Sequence, residues 1–146
     1  MISTTVTEKE WVEVGINLSD LHFEQRLWIN KLKFYKSQID ILQDNLDSLV
    51  RYYFNNEIMT EVEQYQNKFI VYRELIDRLI KDHKCFRNQI QESLTKTGNH
   101  TNYDKLNSNK KELGSKTSDF IRFFDELKTN FIYFYTSHYI SENHKK

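Results

Sequence analysis

The chain has 146 residues, a length that fits one domain with a buried core. Hydrophobic residues make up 38% of it and charged residues 29%, which is too apolar a composition for a disordered chain. The 21 basic and 21 acidic side chains balance, so no global electrostatic field draws the protein to nucleic acid or anionic lipid.

Residues that favour turns are scarce. Proline is absent and glycine occurs three times, whereas turn-rich β-folds need both, so we predict an all-α protein with long helices. The single cysteine, Cys85, cannot form an internal disulfide. No signal-peptide pattern opens the sequence, and its longest apolar run, 131–135, is too short to span a bilayer. We therefore expect a cytoplasmic protein.

Residues 1–18 are predicted to form a separate N-terminal segment. The stretch "EWVEVGINL" (10–18) alternates apolar and polar residues, but a lone strand has no neighbour to pair with. We expect the segment to lie extended along the bundle with Trp11 as an anchor, and a short extra helix is the alternative. A single helical-bundle domain then covers residues 19–140, and residues 141–146 form a frayed tail.

The first predicted helix follows Ser19, the expected N-cap. Apolar residues recur at spacings of four and three, which returns their side chains to one face of a helix. Leu27, Phe34 and Ile41 form a second row beside the first, and a stripe this wide predicts contact with two neighbouring helices. The main row has one polar member, Gln25, among Leu21, Gln25, Trp28, Leu32, Tyr35, Ile39, Leu42, Leu46, Leu49 and Tyr53.

The same spacing predicts a second helix. Thr60 and Glu63 fit a capping box at its start, with Asn56 as the alternative cap. The helix should end near Thr95–Gly98, because a glycine can adopt the left-handed conformation that stops a helix. Its predicted buried row comprises Ile58, Val62, Tyr65, Phe69, Tyr72, Ile76, Leu79, His83, Phe86 and Ile90.

A third helix is predicted after the polar loop Thr95–Asn102. Its first half has few apolar anchors and contains Gly114, so we expect the least stable helical region there, with a break at Gly114–Ser115 as one alternative. The predicted row comprises Leu106, Leu113, Thr117, Phe120, Phe124, Leu127, Phe131, Phe134 and His138. Short connections between long helices predict an antiparallel up-down bundle, and heptad spacing predicts coiled-coil-like packing.

Two stretches carry a family resemblance. "LHFEQRLWINKLKFYKSQIDILQDNL" (21–46) and "VEQYQNKFIVYRELIDRLIKDH" (62–83) resemble small all-helical bacterial proteins of uncharacterised function. The resemblance covers the first two helices. It implies the bundle and a bacterial origin, and it implies no catalytic residue.

Aromatic residues concentrate at one end of the predicted bundle, where the first helix ends, the second begins and the third ends. A three-helix bundle cannot bury every ring there. One interpretation is a core plug with tyrosine hydroxyls at the water boundary, and the other is a surface for a protein partner or a second copy. This candidate surface, the aromatic pole, comprises Tyr52, Tyr53, Phe54, Met59, Ile132, Tyr133, Tyr135 and Tyr139.

The histidines and carboxylates lack the spacing of a metal site. Di-iron bundles place Glu-x-x-His motifs on several helices, and no acidic residue here stands three positions before any histidine. We predict no cofactor, no catalytic residue and no specific nucleic-acid binding. The leading hypothesis is a non-enzymatic interaction or scaffold bundle that self-associates, and the alternative is a ligand- or metal-binding bundle with a degenerate site.

His83 and His138 occupy predicted seam positions, and the register places His83 near Trp28. A seam histidine is usually a polar interruption that sets the register of the helices. The alternative is a pH-sensitive contact. It predicts a change of stability between about pH 5 and pH 7 that disappears in the variant His83→Ala.

Overall fold

A computed structural model describes the backbone of residues 17–52, 56–95 and 102–145, and the side chains of residues 17–52, 58–95 and 102–138. It consists of three helices, α1 (Leu18–Tyr52), α2 (Asn56–Thr95) and α3 (Tyr103–Lys145). The described residues contain no strand, and the predicted all-α bundle is confirmed. The expected N-terminal anchor Trp11 lies outside the described residues.

Asparagine side chains cap α1 and α3. The Asn17 Oδ1 atom accepts hydrogen bonds from the backbone N–H groups of Ser19 (3.1 Å) and Asp20 (3.2 Å). The Asn102 Oδ1 atom accepts one from the N–H of Lys105 (3.0 Å). Such bonds satisfy the amide groups that have no partner within the first helical turn. The prediction of Ser19 as the cap is wrong, because Ser19 is already the second residue of α1.

Of the remaining helix boundaries, the start of α2 and the end of α3 differ from the predicted ones, whereas the end of α2 and the start of α3 agree. Thr60 lies inside α2, so the predicted capping box is wrong, and the alternative cap, Asn56, is the first residue of α2 with its side chain outside the described set. The helix ends at Thr95, within the predicted range. Helix α3 continues to Lys145, through most of the segment 141–146 that was expected to fray.

Helix α3 passes through Gly114 without interruption, so the predicted break at Gly114–Ser115 does not occur. Leu113 and Thr117 are both buried on either side of the glycine and hold this stretch against the other helices. Tertiary packing of an apolar face commonly overrides the low helix propensity of a single glycine. A Cβ atom at Gly114 would meet no atom within 4 Å.

Ion pairs show that α1 and α2 are antiparallel. The Lys36 Nζ atom lies 2.7 Å from Asp77 Oδ1, and the Arg73 guanidinium lies 2.6 Å from Asp40 Oδ1. Residue numbers therefore rise along α1 as they fall along α2.

Helix α3 packs against both partners through aromatic rings. The ring centroid of Phe131 lies 5.2 Å from that of Tyr65 on α2, and the centroid of Phe124 lies 5.1 Å from that of Tyr35 on α1. The backbones of α1 and α2 approach more closely than either approaches α3, because the large phenylalanine side chains of α3 act as spacers. Every described member of the three predicted rows is buried or half-buried.

The second row of α1 stays largely exposed. Helix α1 does contact two neighbours, as predicted, but Leu27, Phe34 and Ile41 are 53%, 61% and 60% exposed and are not part of the buried core. Helix α3 reaches α1 at Tyr35 and through a hydrogen bond from Lys128 to Gln38. The second row lies beyond these contacts and faces away from the bundle.

Candidate interaction surface

Three members of the aromatic pole are exposed. Tyr133 is 76% exposed, and Ile132 and Tyr52 also present much of their side chains to solvent. Met59 and Tyr135 are half-buried, and Tyr135 packs its ring on Phe131 with centroids 6.1 Å apart. The remaining candidates, Tyr53, Phe54 and the side chain of Tyr139, lie outside the described residues.

The start of α2 and the end of α3 meet in a surface groove of about 490 Å³ at this pole. Glu61 and Tyr65 line it from α2, and Tyr133 and His138 line it from α3. Below the groove, the Tyr65 ring lies 5.1 Å from that of Phe134. Burial, and to a smaller extent the charge of Glu61, raises the pKa of Tyr65, so its hydroxyl stays protonated. The pole therefore combines a packed aromatic base with an exposed rim.

A single layer of polar side chains, one from each helix, crosses the core: Gln25, His83 and Thr117 form this buried polar layer. The His83 Nδ1 atom lies 2.6 Å from Gln25 Oε1, and Nε2 lies 2.8 Å from Thr117 Oγ1. The His83 ring is 1% exposed and stacks on Trp28 with centroids 5.9 Å apart, as the predicted register requires.

The surrounding hydrogen bonds assign the tautomer of His83. The Gln25 Nε2 group donates to the Leu21 carbonyl (3.3 Å), so Oε1 faces the ring and must accept from Nδ1–H. In a neutral ring, Nε2 is then an acceptor for the Thr117 hydroxyl. That hydroxyl also lies 2.8 Å from the Leu113 carbonyl, so one proton serves two acceptors.

Burial lowers the pKa of His83 to about 4, and the opposing effect of nearby Asp82 is smaller. The imidazole is therefore neutral at pH 7. A neutral ring suits a layer whose members are all uncharged, since a buried charge without a counter-ion is costly. The layer interrupts an otherwise apolar core and fixes the relative register of all three helices.

The described residues bring no three His, Cys, Asp or Glu side chains together in a geometry for metal binding. Both ring nitrogens of His83 are already within hydrogen-bond distance of protein partners. His138 lies at the aromatic pole, where its ring centroid is 4.7 Å from that of Phe134. The free thiol of Cys85 is exposed, away from the seam. The histidines that the sequence singled out are thus in separate places.

Sequence reasoning recognised His83 as a seam residue but missed the layer that it completes. The available signal was that each predicted row contained an uncharged polar residue, Gln25 in the first and Thr117 in the third. Pairing the rows in antiparallel register would have placed these two beside His83. Sequence reasoning also missed Phe23, which is 57% exposed and extends the second row of α1.

None of the described helices contains an apolar stretch long enough to cross a membrane. No family model, no curated protein and no solved structure matches this chain.

Proposed function

We propose that this chain is a non-enzymatic interaction or scaffold module that self-associates through apolar side chains on its surface. The observation that carries the proposal is the exposure of large apolar side chains in two clusters, the outer face of α1 and the aromatic pole. Single exposed apolar residues are normal on soluble proteins, whereas clustered ones mark interaction surfaces.

The distribution of side chains inside the bundle supports the same function. The three apolar rows meet along the helices, and Phe69, Phe124 and Phe131 are fully buried between them. The polar side chains of the layer around His83 are hydrogen-bonded to one another. Binding is therefore expected on the outside of the helices, where one long surface can hold a partner.

The proposal also covers the packing mode, the origin and the cellular location of the protein. Coiled-coil-like packing follows from the heptad spacing of the rows. The proposal includes a bacterial origin, which is supported by the resemblance of the first two helices to small all-helical bacterial proteins, and a cytoplasmic location.

Sedimentation equilibrium of the full chain, from low to high micromolar concentration, tests self-association. We expect a reversible increase of the average mass from one chain to two or more. A mass of one chain at every concentration would overturn the self-associating part of the proposal.

Elemental analysis of the purified protein separates this function from the alternative, a ligand- or metal-binding bundle with a degenerate site. Stoichiometric iron or zinc that resists dialysis would favour the alternative. Substoichiometric metal would agree with an interaction module.

A further inference from the structure

An uncharged row runs along the outer face of α1. Phe23, Leu27, Phe34 and Ile41 are each more than half exposed, although all four are large and apolar. The uncharged residues Asn30 and Ser37 lie between them, and beyond Ile41 the row continues at spacings of four, three and four through Asn45, Ser48 and Tyr52, with Asp44 beside it. The complete outer row is Phe23, Leu27, Asn30, Phe34, Ser37, Ile41, Asn45, Ser48 and Tyr52.

This pattern differs from an ordinary solvated helix face. A face in contact with water alone usually carries charged residues, and charged residues do stand on both flanks of the outer row. An apolar residue every seven positions, with small polar residues between, is the pattern of a helix that packs against another helix. Helix α1 therefore carries two helix-packing faces, and α2 and α3 occupy only one of them.

On one flank of the row, one pair of opposite charges is placed so that two copies of α1 can complement each other. Arg26 and Asp44 are both exposed and are eighteen residues apart, which is five turns, so they lie at the same angle on α1. The residue midway between them is Tyr35, which is buried and follows Phe34 in the sequence. The apolar residues Leu27 and Ile41 are centred one position earlier, on Phe34, seven positions to either side.

We propose that the outer row of α1 is the self-association surface and that it binds the outer row of a second copy in an antiparallel, two-fold symmetric pair. This inference rests on the proposed self-association and specifies its site. With the two Phe34 side chains at the two-fold axis, Leu27 faces the partner's Ile41. On the flank of the row, Arg26 lies two residues, or about 3 Å, along the helix axis from the level of the partner's Asp44, within reach of its long side chain.

The contact between Arg26 and Asp44 requires the antiparallel orientation. In a parallel pair the flank that carries Arg26 and Asp44 would face the opposite flank of the partner helix, so this pair of opposite charges would not meet. In the antiparallel pair each of these residues meets its opposite charge, and two-fold symmetry makes each contact twice. Within one chain Arg26 and Asp44 are about 27 Å apart along the helix, so they cannot pair with each other.

The variant Phe34→Glu tests the surface. It places two carboxylates at the two-fold axis and removes two apolar side chains, so the dimer dissociation constant should rise at least about a hundredfold in sedimentation equilibrium. Phe123→Glu is the matched control, since Phe123 is an exposed phenylalanine on α3. It should leave the dissociation constant unchanged, and circular dichroism should show wild-type helix content in both variants.

Charge exchange tests the orientation. Arg26→Asp and Asp44→Arg should each raise the dissociation constant about fivefold or more, because each creates two like-charge contacts. The double variant R26D/D44R should return it to within about twofold of the wild-type value, because the pairs are restored across the interface. Failure of the double variant to recover would overturn the antiparallel arrangement.

The outcomes for the surface and for self-association are distinguishable. A wild-type dimer that Phe34→Glu leaves intact would overturn the outer row as its site while keeping self-association. A wild-type chain that is a monomer at every concentration would overturn both.

Discussion

At the scale of single residues, His83 is the most constrained group in the bundle. Its ring is hydrogen-bonded at both nitrogens and stacked on Trp28, with neutral partners on α1 and α3. The low pKa of His83 follows from this burial, and it has a direct consequence for stability.

We predict that the bundle loses stability as the pH falls from 6.5 towards 4. A histidine in the unfolded chain titrates at its ordinary pKa of 6.5, whereas the pKa of His83 in the folded bundle is about 4. In this window the unfolded chain binds a proton that the folded chain does not, so the free energy of unfolding falls by up to about 1.4 kcal/mol per pH unit. Above pH 6.5 the neutral His83 ring makes its full contribution to the free energy of unfolding.

Urea unfolding of the wild type and of His83→Leu, at pH 7 and at pH 4.5, measures this effect. The titration of other groups affects the stability of both proteins alike, so the difference between the two pH dependences isolates the effect of His83. The wild type should lose roughly 2–3 kcal/mol more than the variant between these values. Parallel pH profiles would show that His83 is protonated in the folded bundle as readily as in the unfolded chain.

A second residue-scale prediction concerns Thr117. The change Thr117→Val keeps the shape of the side chain and removes the hydroxyl, which leaves the buried His83 Nε2 without its donor. We expect a loss of about 1–3 kcal/mol in the free energy of unfolding at pH 7. Thr136→Val is the control, because the Thr136 hydroxyl also donates to the carbonyl four residues before it but sits outside the layer. A loss of the same size in both variants would contradict a special role for the layer.

At the scale of whole helices, Gly114 is a local weakness that packing tolerates. The residue lies inside a continuous helix and has open space where a Cβ would be. Gly114→Ala should therefore raise the free energy of unfolding by about 0.5–1 kcal/mol, since alanine reduces the conformational entropy of the unfolded chain. Ser115→Gly, one position along, should lower it by a similar amount. An unchanged or destabilised Gly114→Ala protein in urea unfolding would show that this turn is not an ordinary helix interior.

The helices themselves were predictable because heptad spacing is a repeated signal. About ten positions per helix indicate the same face, so the described members of the predicted rows are buried or half-buried even through weak stretches. The prediction missed Leu18 and Ile29, which are also buried. Helix ends depend on one or two residues, and Ser19 was predicted as the cap where Asn17 caps the helix. The predicted break at Gly114 relied on helix propensity, which is a local property. The burial of Leu113 and Thr117 depends on residues that are distant in sequence, and it outweighs that propensity.

The candidate surfaces were less predictable for a related reason. A second apolar row on α1 indicates a second contact, but the sequence does not state whether that contact is made within the chain or with another molecule. The structure shows that Leu27, Phe34 and Ile41 face away from α2 and α3. Likewise, the polar member of each row was visible in the sequence, but only the relative register of the three helices shows that Gln25, His83 and Thr117 form one layer.

At the scale of the whole molecule, the aromatic side chains of α3 hold the third helix against the pair formed by α1 and α2. Phe124 and Phe123 are neighbours in sequence with opposite environments, one fully buried and the other about half exposed. We predict that Phe124→Ala lowers the free energy of unfolding by about 3–5 kcal/mol, through lost burial and a cavity. Phe123→Ala should cost less than about 1 kcal/mol in the same urea titration. Equal losses would mean that α3 is rotated about its own axis relative to the packing described above.

Pairing through the outer row of α1 would couple folding to concentration. A surface that binds a second copy only in the folded state stabilises that state by mass action, so the melting temperature should rise as the protein is concentrated. For a chain of this size we expect roughly 2–4 °C per tenfold change in concentration. Phe34→Glu should melt at one temperature throughout, because it removes the contact at the two-fold axis, whereas Phe123→Glu should keep the wild-type slope. A wild-type melting temperature that stays constant over concentrations where sedimentation detects the dimer would show that pairing does not depend on the folded outer face of α1.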